Sequence, residues 1–199
     1  MTLRNLLQRL LIRRAPGGER QDLHSRNVGD NLLEWPERAE EAVRLAREHL
    51  PPHGARVADY GCGRQTLRRI IPADWDYTPY DYCSRSSDTV ICDFNAGELP
   101  PGCFDAIFCM GVLEYLDHPL ELLAHAIGNA SFVVFSYNGF TTAERRNLQG
   151  WKNDLAWEEF DSLFVRLQAP VLAKKHLGNN EWIYVVKGNY ETCASDRSR

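Results

Sequence analysis

Three aspartates, Asp59, Asp81 and Asp93, each close a short apolar run, and two glycines, Gly61 and Gly63, flank Cys62 just beyond the first. Glycines at a strand end let a ligand come close to backbone N–H groups, and their G-x-G spacing begins a dinucleotide fingerprint. Thr66 stands where that fingerprint has its third glycine. A carboxylate two residues before the first glycine repels phosphates and suits a ligand bearing an ammonium group. Arg64 follows Gly63. It serves either as a partner for a ligand carboxylate or as an exposed arginine at a helix start. Further on, His118 in EYLDHP is a titratable group in a loop. One reading makes it a base for a hydroxyl substrate, the other a helix-entry turn.

Such residues need strand ends to hold them, and the chain alternates short strands with helices. ARVADY (55–60), DYTPYD (76–81), TVICDF (89–94), FDAIFCM (104–110) and SFVVFSYN (131–138) read as strands, apolar on both faces. RQTLRRII (64–71), PLELLAHAIGN (119–129) and AWEEFDSLFVRL (156–167) read as helices. An earlier helix begins at Pro36, with Glu37 near its positive end, and stops before Pro51-Pro52. That alternation predicts a largely parallel sheet covered on both sides. APVLAKKHL (169–177) and EWIYVVK (181–187) are strands separated only by Gly178, Asn179 and Asn180, a turn that permits antiparallel pairing alone. Between Asp81 and Val90 only YCSRSSDT intervenes, shorter than a parallel crossover usually needs. Either a helix has shrunk to a loop there or the strand assignment slips.

The chain has 199 residues with 44% apolar content, enough for one good core. Its net charge of −4 gives no bulk attraction to a nucleic-acid backbone or an anionic membrane. The first twenty residues differ, with five arginines against Glu19 and with Leu3, Leu6, Leu7, Leu10 and Leu11 on one helical face. Residues 1–20 are therefore expected to form a basic amphipathic helix and linker that docks on its own domain, a partner or a membrane surface. An Arg-rich, acid-poor start also fits a mitochondrial presequence, and 191–199 is expected to be a disordered tail. Six cysteines, at 62, 83, 92, 103, 109 and 193, make no C-x-x-C pair, which argues against a zinc ribbon or a dithiol redox motif. Reduced thiols in the cytoplasm are expected. No metal is implied, because no His, Cys or carboxylate cluster has ligand spacing. The apolar segments are too short to cross a bilayer.

The order Asp59-Tyr60-Gly61-Cys62-Gly63, then Asp81, then Asp93 in CDF, then FDAIFCMGVLEYLDHP (104–119) resembles the class I S-adenosylmethionine-dependent methyltransferases. The resemblance runs over roughly 35–187 in element order, and its specific residues lie within 59–119. It implies an α/β, Rossmann-like, doubly wound domain over 21–190, with a mostly parallel seven-stranded sheet, the last strand antiparallel, in three αβα layers. It also implies S-adenosylmethionine as cofactor. Asp59, Gly61 and Gly63, with Cys62 between them, would hold its methionine part. Asp81, with Tyr82 beside it, would hold the ribose, Asp93 and Phe94 the adenine, and Met110 and Gly111 would line the pocket beneath. Two departures stand out. Arg64-Gln65 replaces the family's frequent third glycine, and Glu114-Tyr115 stands where many relatives carry Glu-His, so a catalytic histidine is absent at that position.

Methyl transfer from a sulfonium is an in-line displacement on an activated carbon, so positioning alone supplies about 7–11 kcal/mol. A hydroxyl acceptor would further need a base, for which His118 is the candidate. The expected activity is methyl transfer to a small-molecule, sugar or glycan hydroxyl, and the acidic body disfavours a nucleic-acid acceptor. A rival is a non-catalytic binding or scaffolding protein on the same fold, favoured by Arg64-Gln65 and the short second crossover. A binder of nicotinamide or nucleotide phosphates would have to tolerate phosphate beside Asp59. Tyr137 and Asn138 read as acceptor contacts or a turn, Trp151 and Trp157 as a lid or packing, and His24, Asn27 and Asp30 as a closing segment or a polar loop.

Overall fold

The computed structural model describes residues 35–139, 142–143 and 149–190. The basic N-terminal segment, His24, Asn27 and Asp30, Cys193 and the 191–199 tail lie outside them. Helix α1 spans Pro36–Arg47, with Pro36 in its first turn and Arg44 and Arg47 in its last. A proline costs nothing where the first N–H has no helical partner, and the terminal charges complement the helix dipole. The helix buries Ala39, Ala42, Val43, Leu45 and Ala46, a face small enough to lie close on the sheet.

That sheet has seven strands: β1 Arg56–Tyr60, β2 Asp76–Asp81, β3 Val90–Ile91, β4 Phe104–Cys109, β5 Ala130–Asn138, β6 Val171–Gly178 and β7 Glu181–Lys187. Their order is β3-β2-β1-β4-β5-β7-β6. Pairing is parallel from β3 across to β5, and β7 enters antiparallel between β5 and β6. The expected sheet, with its last strand reversed, is the observed one. Asn179 and Asn180 have φ of 50° and 63°, the paired left-handed geometry of a tight hairpin, which asparagine tolerates better than most residues.

Helices α2, Pro119–Asn129, and α3, Trp157–Leu167, follow the expected boundaries closely. One face of the sheet meets α1, where Ala42, Val43 and Ala46 cluster with Val57, Phe108, Val134 and Ile183. The opposite face carries an aromatic stack: Phe135 lies 5.0 Å from Tyr184 at 3° and 5.5 Å from Phe160 of α3. Trp157 packs on Tyr137 and Tyr184 in that stack, so its role in the fold is packing.

Two helices of the ideal pattern are missing. The segment 64–71 forms only a 3₁₀ turn, Leu67–Arg69, because Gln65 takes a left-handed φ of 56°. What remains is too short to nucleate an α-helix. The 82–89 crossover holds no helix among the described residues and leads to a two-residue β3, so the crossover has shrunk to a loop.

Candidate active site

The C-terminal edge of the parallel strands, where open α/β sheets place ligands, gathers the residues singled out from sequence. After β1 the chain turns sharply. Gly61 N and Cys62 N both donate to Tyr80 O, at 2.8 and 3.0 Å. Gly61 has φ 76°, and a Cβ there would lie 2.5 Å from Val112 Cγ2, so the position admits glycine alone. Gly63, at φ 51°, meets nothing within 4 Å of a built Cβ. Its side is open, and its N–H donates to Asp81 Oδ2 at 2.8 Å.

Gln65, at the place of the missing third glycine, keeps the left-handed backbone that glycine would adopt, which costs a side-chain-bearing residue roughly 1–2 kcal/mol. Its side chain offsets that cost. Nε2 donates to Asp88 Oδ1 at 2.9 Å, Oε1 accepts from Arg68, and Arg68 pairs with Asp88. Arg64 is exposed.

Asp59 is buried beneath the turn, where its Oδ2 accepts from Tyr77 Oη at 2.6 Å. Burial pushes its carboxyl up to about 7, the Tyr77 bond opposes this, and the Asp81 charge adds to it. Asp81 Oδ1 accepts from Cys83 N at 3.3 Å and from Cys83 Sγ at 3.7 Å, and Oδ2 keeps capacity for a second donor. Tyr82 beside it is exposed, and Cys62 is buried. Asp93 Oδ1 caps the 3₁₀ turn Phe94–Ala96, accepting from Asn95 N and Ala96 N. Phe94 rests 5.5 Å from the Tyr60 ring.

Past β4, Met110 packs against the α1 cluster. Gly111 N donates to Ser136 Oγ at 2.9 Å, and a Cβ on Gly111 would lie within 2.6 Å of the Arg38 guanidinium. Arg38 is itself paired with Glu181 Oε1 at 2.9 Å. His118 stands exposed one residue before α2, with no capping bond from its side chain.

Three features escaped the sequence reading. Glu114 is buried, with Oε1 accepting from Asn138 N at 2.8 Å. Asn95 ties the loop after β3 to the turn after β4, donating to Tyr115 O and accepting from Asp117 N. Tyr137 is fully buried, contrary to both of its expected roles. Its hydroxyl donates to Asn153 Oδ1 and accepts from Leu155 N, each at 2.7 Å. Asn153 Nδ2 in turn reaches Leu113 O and Leu116 O at 2.8 Å. The 151–155 segment is thereby strapped across the turn that carries Glu114, and Lys152 N adds a 2.7 Å bond to Glu114 O. Cys62, Cys83, Cys92 and Cys109 are free thiols. Among the described residues no group of His, Cys, Asp or Glu is placed to hold a metal ion, and no helix is long and apolar enough to cross a membrane.

No family model and no curated protein matches this sequence. Solved structures do match. The magnesium protoporphyrin IX methyltransferase of Synechocystis PCC 6803, with SAH bound, aligns over 94% of this chain and 95% of its own at 12% identity and TM-score 0.61. The 1,6-didemethyltoxoflavin-N1-methyltransferase of Burkholderia thailandensis, with its substrate and S-adenosylhomocysteine bound, aligns over 82% and 84% at 15% identity and TM-score 0.62. A SAM-dependent methyltransferase of Archaeoglobus fulgidus aligns over 77% and 94% at 16% identity and TM-score 0.55. The fold is that of the SAM-dependent methyltransferases. Within that methyltransferase fold the chain keeps the seven-stranded order and the glycine turn after β1, and it trims the helices after β1 and β2 to a 3₁₀ turn and a loop.

Proposed function

We propose that this protein is a cytoplasmic S-adenosylmethionine-dependent methyltransferase acting on a small-molecule, sugar or glycan hydroxyl. The observation that carries the reading is the 2.8 Å bond from Gly63 N to Asp81 Oδ2. It joins an open, glycine-lined turn to a buried strand-tip carboxylate, on a fold shared with methyltransferases. The residues fit the cofactor chemically. Gly63 has space beside it for a ligand to approach, and the acids at 59, 81 and 93 disfavour a phosphate close to them while suiting a positive, phosphate-free nucleoside. Asp59, Gly61, Cys62 and Gly63 would lie at the amino-acid end, Asp81 and Tyr82 at the ribose, and Asp93 and Phe94 at the adenine. Met110 and Gly111 would line the floor. When bound, the cofactor supplies a methyl group already activated by a sulfonium.

The chain's own work is then to orient and to manage a proton. The Tyr137–Asn153 strap fixes the turn after β4, and Arg38 covers Gly111. A hydroxyl acceptor gives up a proton, and the candidates to take it are the exposed His118 and the buried Glu114. In this reading the basic segment 1–20 supplies the contact with a partner or a membrane surface. A second reading, a scaffold on the same fold that does not bind the cofactor, is favoured by the Gln65–Asp88 bond across the loop that would cradle the ligand. Calorimetric titration with S-adenosylmethionine and S-adenosylhomocysteine decides between them: saturable heat supports the enzyme, and none at millimolar ligand supports the scaffold.

A further inference from the structure

We propose that Glu114 takes up the proton that a hydroxyl acceptor releases as it is methylated, an inference that rests on the methyltransferase reading above. Glu114 is 3% exposed and firmly placed. Its Oε1 accepts from Asn138 N, and its backbone carbonyl accepts from Lys152 N at 2.7 Å. Its Oε2 is nonetheless buried with no hydrogen-bond partner, and so is Oδ1 of Asn138. A buried acceptor left unpaired costs about 1–3 kcal/mol. Glu114 stands in the turn after β4 and Asn138 ends β5, so both unpaired acceptors belong to the edge where such sheets bind ligands.

The described groups whose charge or ionisation bears on Glu114 come from several elements. Arg38 of α1 favours its charged form, Glu181 of β7 opposes it, and Tyr115 and Tyr137 lie close enough to feel its charge. Arg38 is paired with Glu181, so it does not fully neutralise Glu114. Burial dominates and pushes the carboxyl up to about 7, where a base is half ionised at working pH and still basic enough to act. In the step itself an O–CH₃ bond forms and the sulfonium S–CH₃ bond breaks, with its electron pair staying on sulfur. The hydroxyl proton passes to Glu114 Oε2. The carboxylate becomes a carboxylic acid and later returns the proton to solvent.

The test uses the full chain and its Glu114→Gln and His118→Gln variants. Each is given methyl-tritiated S-adenosylmethionine and the small-molecule fraction of a cell extract as acceptor probe, over pH 5 to 9. S-Adenosylhomocysteine affinity and the unfolding midpoint are measured alongside. Gln has nearly the same size and keeps an oxygen for Asn138 N, so Glu114→Gln should fold and bind S-adenosylhomocysteine like the parent. Its transfer rate should fall by about 10²–10⁴-fold, and the rise in rate through about pH 7 should vanish with it. Independently of any acceptor, the ¹³C-labelled Glu114 carboxyl should titrate near neutrality in the S-adenosylhomocysteine complex. Parental transfer by Glu114→Gln overturns the proposal and leaves the methyltransferase reading standing, as does loss of the pH-dependent rise in His118→Gln alone. A Glu114 carboxyl titrating below pH 5 overturns it too. A parent chain that neither binds S-adenosylhomocysteine nor transfers label removes the underlying reading as well.

Discussion

Gly63 and Asp81 lie eighteen residues apart and are joined by a 2.8 Å bond from the glycine N–H to the carboxylate, which ties the turn after β1 to the tip of β2. A charge-assisted bond of this kind is worth about 1.5–3 kcal/mol. Asp81→Ala removes it together with the acid that faces the ribose in the proposed complex. S-Adenosylhomocysteine affinity, measured by calorimetry, should fall by more than about tenfold. Asp81→Asn keeps an oxygen for Gly63 and should fall less.

The two glycines of the turn should respond differently to alanine. At Gly61 the new methyl would run into Val112, adding overpacking of about 1–3 kcal/mol to the left-handed strain. At Gly63 the space is open, so strain of about 1 kcal/mol acts alone. Urea unfolding should rank Gly61→Ala well below Gly63→Ala, and adding Val112→Ala should restore part of the loss in the first variant only.

Two buried carboxyls set the pH dependence of stability. Asp59 and Glu114 both rise to about 7 in the fold, from 3.8 and 4.5, so between those limits the native state binds more protons than the unfolded chain. Their contribution is full below about pH 4 and is lost as pH rises through 7. Chemical denaturation across that range should show stability falling with pH, and Asp59→Asn and Glu114→Gln should each flatten the slope. Tyr77→Phe removes the bond that favours ionised Asp59 and should steepen the loss.

Tyr137 holds its strap through one donated and one accepted bond. Tyr137→Phe leaves Leu155 N and Asn153 Oδ1 without that partner, at a cost of about 1–3 kcal/mol. The unfolding midpoint should drop by several degrees, and limited proteolysis should cut first within 149–156.

What could be read from the sequence follows from how local its causes are. Helix α2 was legible because Pro119 opens it and Leu122, Leu123 and Ile127 repeat on one face. The β6–β7 hairpin was legible because only Gly178, Asn179 and Asn180 separate its strands, too few for anything but antiparallel pairing. The helix expected at 64–71 failed because Gln65 is held left-handed by Asp88, twenty-three residues away, a partner that no local pattern displays. Tyr137 shows a signal that was present and unused. It shares the alternate face of β5 with Phe135, which meets α3, so period two alone places it inside. The setting of Glu114 is not legible locally, because the groups that act on it, Arg38, Asn138 and Glu181, come from three other elements.

The measurement that bears most directly on the methyltransferase reading is titration of the purified full chain with S-adenosylhomocysteine in a calorimeter, beside the same titration with NADH. The reading predicts saturable one-to-one binding of the first and none of the second. Silence toward S-adenosylhomocysteine at millimolar concentration, or binding of NADH in its place, would contradict it.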